Sequence, residues 1–83
     1  MSINFNAPAV LRKWPSVNSE RVSGSQPYLL VEGTLEECVR HFMAKPTSQR
    51  HLYEIHTNPQ LDLVTAVLSA KHIVEIARLR NFL

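Results

Sequence analysis

The chain has 83 residues, enough for one domain, and its 45% hydrophobic and 19% charged content is that of a folded protein, not a disordered one. No apolar run approaches the ~20 residues that cross a bilayer, and the single cysteine, Cys38, rules out an intrachain disulfide. The net charge of +2 is uneven: Arg12, Lys13 and Arg21 against Glu20 put all of it in residues 1–27, while the charges of residues 28–83 balance. That balance counts against the body of the chain binding a phosphate backbone.

The opening "MSINFNAPAVLRKWP" has no secretory pattern, because its apolar run is short, broken by Pro8, and followed by its positive charges. With the lone thiol, this gives the expectation of a cytoplasmic protein. Residues 15–27, "PSVNSERVSGSQP", have linker composition. Residues 1–27 therefore read as a flexible N-terminal arm. Its apolar island ends in Trp14, which with Arg12 and Lys13 makes a candidate docking element, ordered on a partner or back on its own domain.

The folded unit is expected over residues 28–83. "YLLVE", bounded by Pro27 and Gly33, reads as a strand. "GTLEECVRHFMAKP" carries a full set of helix signals: Thr34 as N-cap, Glu37 completing a capping box, and Pro46 as a stop. Leu35, Cys38, Val39, Phe42 and Met43 make its apolar stripe, and Glu36–Arg40 and Glu37–His41 are i,i+4 pairs outside it. "HLYEIHT" reads as a second strand, broken by Asn58-Pro59, and the pattern from Leu61 onward is helical, with Ser69 dividing it into two helices.

The expected class is α+β: a small β-α-β-α-α unit with a two-stranded parallel sheet packed with helices. Such a sheet is incomplete and its core is small. Self-association, two protomers completing one sheet, is the simplest remedy, so a homodimer is expected.

Chemistry concentrates in "RHLYEIHTNP", Arg50 to Pro59. Alternation along a strand sends His51, Tyr53, Ile55 and Thr57 to one face and Leu52, Glu54 and His56 to the other, so the two histidines cannot share a metal ion. Glu54 and His56 share their face with Glu32, and the three form the candidate acid–base group at the carboxyl ends of both strands. No nucleophile accompanies them, and Gly33 alone is too little for a phosphate cradle. Cys38 and His41 are spaced to converge on a helix, but Cys38 belongs to the apolar stripe and no further ligands complete a zinc site. The last two helices resemble a helix-turn-helix in outline, with Lys71, Arg78 and Arg80 as phosphate contacts, yet the second is apolar enough that packing explains it better. The leading expectation is a non-enzymatic accessory or adaptor protein, working through protein–protein contacts and without metal or cofactor. A nucleic-acid-associated regulator and a small-molecule site at Glu32, Glu54 and His56 are the alternatives.

Overall fold

The apolar island Ala9-Val10-Leu11 is built into a sheet. The computed structural model describes residues 3–18, 20–60 and 65–81, and there Pro8–Lys13 forms strand β1. A short hairpin follows, β2 (Ser16–Val17) and β3 (Glu20–Arg21), with Asn18 in the left-handed region at φ 53°, which asparagine adopts more readily than most residues. Then come β4 (Tyr28–Thr34), helix α1 (Leu35–Met43), a 3-10 helix (Thr47–Leu52), β5 (Tyr53–Thr57), β6 (Val67–Leu68) and helix α2 (Ala70–Asn81).

The molecule is a small α+β domain with a four-stranded antiparallel sheet in the order β4-β1-β5-β6. The expected two-stranded parallel sheet is therefore corrected. β4 and β5 do run the same way, but β1 lies between them, antiparallel to both. The reason is hydrogen-bonding capacity: β1 satisfies the inner edges of both strands at once, which two strands alone cannot do. Residues 1–27 thus contribute an inner strand to the fold, a role that linker-like composition downstream of Trp14 concealed.

Register sorts the side chains by face. Val31, Leu11, Ile55 and Leu68 lie in one continuous row across all four strands, with Leu11, Ile55 and Leu68 essentially without solvent exposure. Helix α1 packs against β1, β4 and β5 on this side, and α2 against β5 and β6. The neighbouring row, Glu32, Val10, His56 and Val67, faces the uncovered side. A bulge between Leu11 and Arg12 sets Arg12 opposite Leu29 and Lys13 opposite Tyr28. It moves Leu29 off the face that strict alternation would share with Val31.

Helix α1 forms for the reasons its sequence gives. The Thr34 hydroxyl accepts from the Glu37 amide at 3.2 Å, and Glu37 Oε1 accepts from the Thr34 amide at 3.2 Å, a complete capping box. The two remaining first-turn amides, Leu35 and Glu36, donate to the carbonyls of Ala7 and Phe5, each at 2.9 Å. The N-terminal segment therefore occupies the helix end where an anion would otherwise sit. Leu35, Cys38, Val39 and Phe42 are buried, as the stripe predicts.

The helix expected from Leu61 is corrected over 65–68, where Val67–Leu68 pairs with β5 and the Ala66 carbonyl accepts from the Thr57 amide at 2.9 Å. A short apolar run fits a buried strand as well as a helix, and the open edge of β5 decides it. Residues 61–64 lie outside the described residues. The last helix starts after Ser69 as expected, with the Ile73 amide donating to the Ser69 carbonyl. No helix among the described residues is long and apolar enough to cross a membrane.

Two outcomes follow from this packing. Deleting residues 1–27 removes an inner strand, so the remaining chain is expected to lose cooperative urea unfolding and native far-UV circular dichroism; a cooperative transition in the fragment would refute the role given to β1. Burial, and secondarily the Glu37 carboxylate, push the Cys38 thiol from 9.0 up to about 11. The folded chain then keeps a proton that the unfolded chain loses, so this group's contribution makes stability fall as pH rises from 9 toward 11. The urea midpoint of the wild type should drop over that window relative to Cys38→Ala, which lacks the group.

Candidate functional site

The open face of the sheet carries the strand-end group expected from alternation. β5 places Glu54 and His56 on one side, and Glu54 Oε2 pairs with His56 Nε2. The other carboxylate oxygen, Oε1, accepts the indole N–H of Trp14 at 2.5 Å. Glu54 is 9% exposed, the one buried charged residue among the described residues. Its burial is tolerable because both oxygens are engaged.

This contact explains what Trp14 does. Its backbone amide donates to the Leu52 carbonyl at 2.7 Å while its indole reaches Glu54, so Trp14 docks back onto its own domain. Arg12 faces the open side opposite Glu54 and Leu29; Lys13 points the other way, with its ammonium over the Tyr53 ring. Three consecutive residues first taken together as a docking element thus belong to two faces.

Glu32 lies two strands from His56, across Val10, which at the ordinary strand spacing is about 10 Å. It makes no ion pair with either partner, so only two of the three expected residues meet. A shallow depression of ≈ 370 Å³ spans the gap, lined by Val10, Glu32, His56 and Asn58 among others. A second hollow of ≈ 470 Å³ lies over α1 between Phe5, Val39 and Ala77.

Chemically, the Glu54 carboxyl engages one ring nitrogen of His56, Nε2, and fixes the direction in which the other, Nδ1, points. That arrangement orients an imidazole for a ligand or a proton. The one hydroxyl lining the depression, Thr57, already donates to the Pro8 carbonyl at 3.0 Å. His51, on the 3-10 helix and not on β5, is exposed, and its carbonyl accepts from Arg21 at 2.7 Å. Among the described residues no three His, Cys, Asp or Glu side chains could hold a metal ion. Cys38 is buried and His41 exposed, so they do not converge.

On α2, Lys71 and Arg78 are exposed while Ile73, Ile76 and Ala77 are buried; the Arg80 side chain lies outside the described residues. The helix-turn-helix outline loses the part of its first helix that falls on β6. Sequence reasoning missed Arg21, Lys45 and Arg50, which gather with Lys13 near the start of β5. No local pattern could have united them, since they come from β1, β3, the turn after α1 and the 3-10 helix.

Comparison with protein families, with characterised proteins and with solved structures finds no match to this chain.

The Trp14–Glu54 bond is testable through the only tryptophan. Glu54→Ala leaves the indole N–H without its acceptor and is expected to cost about 1–3 kcal/mol. Glu54→Gln keeps an acceptor and should cost less. Urea unfolding followed by Trp14 fluorescence measures both, and equal losses would deny the bond its part.

Proposed function

We propose that the chain is a non-enzymatic protein-interaction module that pairs with a second copy of itself along β4. The observation that carries this reading is the pair Leu29-Leu30, which is 50 and 42% exposed on the outermost strand of the sheet. The outer side of β4 offers a row of backbone donors and acceptors, and the strand contains no lysine or proline to discourage pairing. An isologous antiparallel joint supplies each copy's edge with the other's groups and covers the same side chains on both. Glu32 is the one charged residue of β4. Pairing about Leu30 places its two copies toward opposite ends of the joint, so like charges do not meet. The second edge strand, β6, has only two residues and is too short to compete.

Light scattering at tens of micromolar tests this. The full chain should have twice the 9.5 kDa chain mass, and Leu29→Lys or Leu30→Lys should return it to one chain mass with unchanged circular dichroism. A wild-type monomer, or a dimer indifferent to both substitutions, rejects the β4 joint.

A further inference from the structure

A sequence with balanced charge over residues 28–83 folds so that four cations gather at one end of the sheet. The ammonium groups of Lys13 and Lys45 stand 5.9 and 5.7 Å from the centre of the same Tyr53 ring. Tyr53 packs edge to face on Phe42 at 6.4 Å, and the Arg50 guanidinium lies 5.6 Å from the Phe42 ring. Arg21 stacks 4.8 Å over Trp14, on the open face opposite Lys13, and is held at the same end of the sheet by its bond to the His51 carbonyl.

Among the described residues, none of the four has an ion-pair partner. Glu54, beside Tyr53, is engaged by Trp14 and His56, and Glu20, the residue before Arg21, makes no ion pair with it. The Arg50 Nη2 donates to the Met43 carbonyl at the end of α1, but its Nε is buried without a partner. The helix end accounts for part of the attraction of Arg50 and Lys45. It does not account for Lys13 or Arg21, which arrive from β1 and β3.

We propose that this end of the molecule binds the phosphate backbone of single-stranded nucleic acid. Four uncompensated cations call for a polyanion. The cations come from separate stretches of chain spread along one end of the sheet, which suits an extended ligand. Tyr28 supplies what an acidic protein would not need. It is the cross-strand partner of Lys13 and 45% exposed, an aromatic face beside a cation where a base can stack.

The test is fluorescence anisotropy with a labelled oligothymidylate of about 20 nucleotides. Four phosphate contacts predict that raising salt from about 50 to about 200 mM weakens binding about fifty-fold. Lys13→Gln with Lys45→Gln should halve the logarithmic salt slope, and Tyr28→Ala should weaken binding about tenfold. Lys71→Gln, on α2, should change nothing. Circular dichroism and the urea midpoint establish that each variant folds; if the double variant does not, Lys45→Gln alone should lower the slope by a quarter. Absence of salt-dependent binding overturns the proposal. So does an equal loss in Lys71→Gln, which moves the contact to α2. Displacement of the oligonucleotide by polyglutamate at equal charge concentration also overturns it, in favour of an acidic protein partner.

Discussion

The placement of β1 between β4 and β5 is the constraint on which the rest depends. Leu11 occupies the middle of the buried row that runs from Val31 to Leu68, so the helices have a continuous surface to cover only when β1 is in place. The same segment closes other accounts. Its Ala7 and Phe5 carbonyls satisfy the first amides of α1, the Pro8 carbonyl takes the Thr57 hydroxyl, and Asn4 exchanges two hydrogen bonds with the Gln60 side chain. Each of these groups would otherwise have to find water or a partner. Contacts between residues far apart in sequence therefore carry the stability of a small core, and the loop-closure entropy of forming them is the main opposing term.

What could be read in advance follows from the range of the determining interaction. Helix α1 was legible because Thr34, Glu37 and the stripe from Leu35 to Phe42 act within a few turns of chain. The alternation Glu54, Ile55, His56 was legible for the same reason, and the two polar residues do share a face. β1 was not, because three apolar residues near the N-terminus become a strand only when two others offer edges. β6 was not, since Val67 and Leu68 fit either period until β5 is beside them. The bond between Trp14 and Glu54 spans 40 residues and leaves no trace in spacing.

Charge shows the same distinction between chain order and space. Glu36 and Glu37 stand in the first turn of α1, where the helix dipole favours anions, and Glu32 ends β4 at the same end. Lys45 follows the last turn, and Arg50 returns along the 3-10 helix to the Met43 carbonyl. One helix thus sorts acids to one end of the domain and bases to the other. β1, antiparallel to β4, then finishes beside the basic end and adds Lys13 to it. Summing charge by segment, which gives zero for residues 28–83, misses this because the sum has no direction.

The bulge in the β1–β4 pairing bears on why β4 is left open. Without it, Leu29 would fall on the face of Val31 and contribute to the core beneath α1. With it, Leu29 is half exposed, forgoing half of the roughly 1.5–3 kcal/mol that full burial of such a side chain supplies. A bulge often serves to turn an edge away from further pairing, and edges so treated commonly carry charge. Here the residues presented include Leu29 and Leu30. An apolar set on a seven-residue edge is a liability for an isolated chain and an asset for one that is covered. The core of this domain is too small for the loss of a leucine to be indifferent. In the proposed β4 joint, burial of that side chain against a second copy would offset the loss and satisfy the open edge in the same contact.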